Sequence, residues 1–163
     1  MEPRIATPAD LPAIDALLAR SYPALLKADY PPSVLVTALP LISRAQPALL
    51  ASGTHWVTTD GSRAVACGGW TAAPPRGRTA PRGWGSVRHL AVDPARTRRG
   101  LARALMEAAL GQARGAGVRA MQCLSTRTAV PFYASLGFEV VGPVDVALRN
   151  GIVFPSIEMR ARL

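Results

Sequence analysis

Residues 87–105, VRHLAVDPARTRRGLARAL, hold the densest run of groups in the chain that could do chemistry. Arg96, Arg98, Arg99 and Arg103 flank Gly100. Their guanidinium groups carry fixed charge and forked donors that match phosphate oxygens. A strand-like run ends at Asp93-Pro94 and an apolar helical stripe begins after Gly100, so the arginines stand at a strand-to-helix turn. The first amides of a helix have no internal acceptor, and the helix dipole adds partial positive charge at the same end. The backbone from Arg98 through Gly100, Leu101 and Ala102 to Arg103 is therefore expected to turn its N–H groups toward an anion. Gly100 lacks a Cβ, so it permits close approach and accepts a positive φ. The stretch is read as a cradle for a phosphate-bearing ligand.

The elements that must position this cradle follow from pattern. Ile5 starts a short strand, and Thr7-Pro8-Ala9-Asp10 reads as a helix start with Leu11, Ile14, Leu17 and Leu18 on one face. That helix is expected to end near Ser21, before Pro23. Two strands, His55–Thr59 and Arg63–Thr71, flank the Asp60-Gly61 hairpin turn. A Pro- and Gly-rich loop from Ala72 leads to a fourth strand, Trp84–Val92. The helix after Gly100 carries an apolar stripe from Leu101 to Ala113 and stops at Gly115-Ala116-Gly117. A near-continuously apolar strand, Val118–Leu124, follows it. Strand, helix and strand in this order make a crossover with two parallel neighbours. Thr128 is placed to cap a short helix closed by Gly137-Phe138, and Glu139–Gly142 and Val153–Met159 are the closing strands.

The chain has 163 residues, which suits one domain spanning residues 1–163. Its longest apolar run is far shorter than the roughly 20 residues that cross a bilayer, and its start shows no secretory pattern. Cys67 and Cys123 lie in apolar strands as buried free thiols, which suits a reducing, cytoplasmic setting. Two cysteines and two histidines at unrelated spacings make no metal signature. The net charge is +9, and 18 of the 19 basic residues are arginine, with Lys27 the exception. No aromatic-and-basic stripe accompanies them, so nucleic acid is only a minor alternative partner.

Thr97 to Ala102 resembles the acyl-CoA signature [Q/R]-x-x-G-x-[G/A] of the GNAT acetyltransferase superfamily, with Thr97 in place of the usual Gln or Arg. Ala129, Phe132, Tyr133, Gly137 and Phe138 are similar to the superfamily's A-x-x-F-Y-x-x-x-G-F, in the right order and at the right separation. The resemblance implies an α/β fold with a central, mostly antiparallel mixed sheet of about six to seven strands and about four flanking helices. Within it a parallel pair splays apart to hold the pantetheine arm.

The same resemblance implies acetyl-CoA as cosubstrate and transfer of its acetyl group to a primary amine in a ternary complex. Leu90, Ala91 and Val92 would pair with pantetheine, and Tyr133 would act as general acid toward the departing thiolate. The position of a family glutamate falls on Ser86. His89 is the nearest titratable candidate base, although strict strand alternation puts it on the face opposite Arg88, Leu90 and Val92. His55, Glu139, a water relay or an amine that arrives neutral are the other choices. Residues 22–53 correspond to the acceptor-lining region, which offers Tyr22 and Tyr30, with Trp70 nearby. Homodimers are frequent among similar proteins. The alternative is a non-catalytic acyl-CoA-binding module of the same fold.

Overall fold

The computed structural model describes all residues from Met1 to Leu163. Seven strands form one sheet: β1 (Arg4–Ile5), β2 (His55–Asp60), β3 (Arg63–Thr71), β4 (Trp84–Val92), β5 (Ala120–Ser125), β6 (Glu139–Ala147) and β7 (Val153–Arg162). Their order is β1-β2-β3-β4-β5-β7-β6, and every neighbouring pair is antiparallel except β4 with β5. Five helices accompany the sheet: α1 (Leu11–Leu26), α2 (Pro32–Ile42), α3 (Pro47–Leu50), α4 (Leu101–Gly115) and α5 (Val130–Ser135). No helix is long and apolar enough to cross a membrane.

Helix α4 buries Leu105, Met106, Ala109, Leu110 and Ala113 against Ala66, Val87 and Met121 of the sheet. Helix α1 places Ile14, Leu17 and Leu18 against Val57, Cys67 and Ala91. Adjacent residues Ala66 and Cys67 thus serve different cores, as strand alternation requires. Each large aliphatic side chain so buried contributes roughly 1.5–3 kcal/mol. Gln112 of α4 ties the helix to the sheet: its Oε1 accepts from the indole N–H groups of Trp56 (3.0 Å) and Trp70 (3.1 Å).

Two expectations about the N-terminal half change. α1 continues past Pro23 to Leu26, where Leu26 joins a third cluster with Tyr30, Leu35, Ala38 and Phe154. That burial outweighs the hydrogen bond that Pro23 cannot donate. The acceptor-lining region of residues 22–53, given no helix by the sequence pattern, folds into α2 and α3, with Pro32 and Pro47 in their first turns, where a missing N–H costs nothing. Near α5, Thr128 does not act as the cap. Its hydroxyl donates to Asp29 Oδ2 at 2.7 Å, while Thr126 Oγ1 accepts from Ala129 N–H at 3.2 Å.

Asp93 fixes the exit of β4. The carboxylate is buried, accepts from Ala95 N–H at 3.0 Å, and pairs with Arg63 at 2.8 Å and Arg20 at 3.3 Å. Burial alone would raise its pKa, but the Arg63 bond, the Ala95 amide and both guanidinium charges hold it below the ordinary 3.8. A depressed carboxyl stabilises the fold above its unfolded pKa and loses that contribution as pH falls through the folded value. Asp93→Asn is expected to lower stability by about 1–3 kcal/mol at neutral pH. Thermal melts should show the gap between variant and parent narrowing in strong acid, and a gap that does not depend on pH would contradict this account.

Candidate active site

Three features of the backbone open a cleft of about 1960 Å³ beside β4. The first is the parallel pair itself. β4 and β5 are in register only at Trp84–Ala120, Gly85–Met121 and Ser86–Gln122. Beyond Ser86 the strands part, and Leu90, Ala91 and Val92 face Cys123, Leu124 and Ser125 across the wedge.

The second is a bulge. β3 pairs Cys67 with Ala91 but Gly69 with Arg88, so His89 and Leu90 together oppose Gly68. His89 has φ 51°. Strict alternation therefore fails here, and Arg88, His89, Leu90, Ala91 and Val92 all line the cleft. His89, expected on the far face, is among them. The neighbouring glycine is set by crowding from within the sheet, because a Cβ on Gly69 would lie 2.2 Å from the Thr54 carbonyl oxygen. Gly68 is also packed closely, against Leu90 and against Leu105 of α4, and neither glycine lines the cleft.

The third is the start of α4. Gly100 takes φ 78° and Arg98 φ 64°. The first helical bond runs from Ala104 N–H to Gly100 O at 3.0 Å, so the amides of Arg98 to Arg103 precede the ladder. Thr97, Arg98, Gly100, Leu101, Ala102 and Arg103 line this end of the cleft, and Arg99 does not. Arg96 is partly committed to Asp60, and Arg103 donates to Ser135 Oγ at 2.9 Å. Unfilled amides, a helix N-terminus and guanidinium groups together suit a polyphosphate.

Tyr133, on α5, lies where the wedge meets this end. Its ring packs edge-on to Phe132 and Phe138, each with centroids 5.4 Å away. Burial, then the neighbouring Cys123 and Tyr22, raise the phenol well above 10.0, so it keeps its proton. Burial pushes the Cys123 thiol up to about 12, with the Tyr133 hydroxyl beside it opposing that rise. Tyr22 also faces the cleft, and its hydroxyl donates to the Leu90 carbonyl at 3.3 Å. Burial raises its pKa too.

Other candidates lie elsewhere. Ser86 is buried under Gln122, whose Nε2 donates to its Oγ at 2.9 Å, and it does not reach the cleft. Tyr30 is a clasp: it donates to Pro155 O at 2.7 Å, accepts from Arg127 N–H at 2.9 Å and stacks on Phe154. Trp70 is core, held by Gln112. Tyr30 and Trp70 thus leave the acceptor-contact set. His55 is buried and Glu139 lies in a separate groove with Arg119, Arg160 and Arg162.

Sequence reasoning missed Gln46 and Arg88. Gln46, just before α3, lies between Arg88 and His89: its Oε1 is 3.5 Å from Arg88 Nη2 and its Nε2 is 3.3 Å from His89 Nε2. A guanidinium only donates, so the amide oxygen must face Arg88 and the NH2 must face His89. His89 Nε2 is then an acceptor and the imidazole is neutral. Burial and the adjacent Arg88 charge agree, lowering its pKa to about 4. No pattern in the sequence marks residue 46, but a bulge-aware reading of the Gly68-Gly69 pair would have brought Arg88 forward.

The acetyltransferase (GNAT) domain family matches residues 51–140, more than half of the chain. The chain belongs to the GNAT acetyltransferase family. No curated protein sequence matches it. Solved GNAT structures share its fold. A GCN5-related N-acetyltransferase from Rhodopseudomonas palustris is 18% identical with a TM-score of 0.75, covering 99% of this chain and 94% of that one. PaiA N-acetyltransferase from Thermoplasma acidophilum, in complex with coenzyme A, is 12% identical with a TM-score of 0.70 and coverage of 99% and 98%. The ribosomal-protein-S18-alanine N-acetyltransferase from Escherichia coli is 19% identical with a TM-score of 0.61 and coverage of 98% and 92%.

Within this GNAT domain, Gly100 is the position most sensitive to a side chain at the cradle. A Cβ there meets no neighbour within 4 Å, so its φ of 78°, not internal crowding, selects glycine. Gly100→Val is expected to weaken acetyl-CoA binding about tenfold or more while costing only about 1–2 kcal/mol of stability. Titration calorimetry beside a thermal melt separates the two effects.

Proposed function

We propose that this GNAT protein is an acetyl-CoA-dependent N-acetyltransferase acting on a primary amine in a ternary complex, and that residues 1–163 work as one domain. The observation that supports it most is the junction, in one cleft, of the free amides at Arg98–Arg103 with the backbone of Leu90–Val92, which has no strand partner on its β5 side and whose Leu90 carbonyl meets the Tyr22 hydroxyl. The pyrophosphate would rest on the former and the pantetheine would run along the latter like an added strand. Acetyl-CoA supplies a thioester whose carbonyl is open to attack by an amine. Held by its long handle, it meets the acceptor as a near-unimolecular reaction.

Bond making joins the amine nitrogen to the acetyl carbon, and the C–S bond breaks with its electron pair left on sulfur. Tyr133 stands at the wedge with a proton it does not readily lose. It donates a hydrogen bond to the sulfur as charge develops and passes that proton to the departing thiolate. The attacking nitrogen, one proton in excess once the N–C bond has formed, releases it to water, and Tyr133 is reprotonated from the same pool, leaving amide, thiol and neutral phenol. The amine must enter neutral. His89, neutral and already accepting from Gln46, is a poor base near pH 7. The cleft is lined by arginines and by no carboxylate, so a bound ammonium is pushed toward its neutral form. A dedicated base is not required.

Calorimetric titration with acetyl-CoA and with CoA lacking its 3′-phosphate tests the reading, followed by thiol release with an amine panel. Saturable binding at one site per chain, weakened by loss of the phosphate and followed by CoA release, is the expected result. Binding without turnover on any amine would leave a non-catalytic acyl-CoA module. Tyr133→Phe should lower kcat roughly a hundredfold with little change in acetyl-CoA affinity; wild-type turnover in that variant would remove Tyr133 from the chemistry. The kcat/KM profile, corrected for the neutral fraction of the amine, should show no inflection at the ordinary histidine value of 6.5, because His89 titrates at about 4. An inflection at that value, lost in His89→Gln, would restore His89 as base.

A further inference from the structure

The acceptor half of the cleft carries cations and no anion. Arg44, Arg76, Arg88 and Arg149 line it, and no Asp or Glu does. Arg88 is the one of the four on a strand: Arg44 and Arg76 lie in loops and Arg149 opens a short 3-10 turn. It springs from β4 beside the bulge, is half-buried, and bonds only to neutral oxygens, Thr71 Oγ1 at 3.3 Å and Gln46 Oε1 at 3.5 Å. Elsewhere Arg20 and Arg63 share Asp93, Arg78 meets Glu158 and Arg96 meets Asp60, but no carboxylate lies within ion-pair distance of Arg88. Its pKa is lowered by burial alone, with no compensating anion. A guanidinium withdrawn from water with donors unfilled is costly unless an anion completes it. Gln46, gripped by His89 on its other side, fixes the direction in which the fork points.

We propose that the acceptor is an amine that also carries a carboxylate, and that Arg88 binds that carboxylate, with Gln46 as the positioning residue for its guanidinium. The inference rests on the acetyltransferase reading and specifies its substrate class. A planar fork meets a carboxylate through two parallel bonds, which gives orientation as well as affinity. Arg88 stands two residues before Leu90, whose backbone flanks the wedge, so a carboxylate held there delivers the amino group of a short amino acid toward the thioester.

The test uses matched acceptors, free amino acids and their carboxamides, with CoA release as the readout. In the parent protein kcat/KM, corrected for the neutral-amine fraction of each acceptor, should favour the carboxylate member by roughly tenfold or more, the worth of a charge-assisted pair. Arg88→Gln should bring that ratio close to one without altering acetyl-CoA affinity, and Arg88→Lys should recover part of it. A parent ratio at or below one, or an Arg88→Gln loss equal for both members, overturns the proposal, since a purely structural role would lower both alike. Should Arg88→Gln fail to fold, Gln46→Ala leaves the charge but frees its direction, and is expected to reduce the same ratio. Absence of CoA release with every amine would defeat the acetyltransferase reading, not the carboxylate site. Calorimetry of the same pairs with the CoA-saturated protein then decides the latter: binding of the carboxylate member alone, weakened in Arg88→Gln, supports it, and equal or absent binding refutes it.

Discussion

The parting of β4 from β5 is the constraint on which the site depends. Two parallel strands that stay paired bury their backbone groups in each other, and these two do so for three residue pairs only. What separates them is written into β3 and β4 together. The bulge at His89-Leu90 opposite Gly68 redirects β4, and the close contact of Gly69 with the Thr54 carbonyl holds β3 against β2 while this happens. Asp93 then stops the strand and turns the chain into α4, with Arg20 of α1 and Arg63 of β3 fixing the turn from two sides. Wedge and cradle are consecutive along the chain, so one strand exit sets the spacing between them.

Much of this was legible in the sequence, for physical reasons that differ from element to element. The Asp60-Gly61 turn, the α4 stripe and the Gly137-Phe138 closure are local signals, and each element formed where its local chemistry placed it. The cradle was legible because a helix N-terminus and a positive-φ glycine are properties of a short stretch. Tertiary burial was not: Leu26 in the third cluster extends α1 through a proline, and Phe154, more than a hundred residues later, is part of what repays it. The side assignment of His89 failed because one inserted residue in a ladder reverses alternation, and the partner strand that fixes the bulge lies twenty residues upstream.

Electrostatically the cleft is one-sided. The buried ion pairs serve the frame, as at Asp93, whereas the walls of the cleft present guanidinium groups and neutral dipoles. At the start of α4 that field would favour a polyanion. Further along it bears on proton affinity, keeping His89 neutral through Arg88 and disfavouring an ammonium in the same space. On the proposed acetyltransferase reading, one sign of charge would do two jobs, holding the donor molecule and favouring a neutral amine.

The two outer edges of the sheet have a bearing on solubility. At one side the sheet ends on β1, two residues long; at the other, β6 carries Pro143 and Asp145 within its length. A very short strand and an edge interrupted by proline and charge are poor templates for pairing with another chain. The exposed valines at 140, 141 and 153 therefore sit on a margin that resists edge-to-edge aggregation. Backbone without a strand partner lies instead in the interior, between β4 and β5 beyond Ser86, where neighbouring strands and helices shield it from other chains.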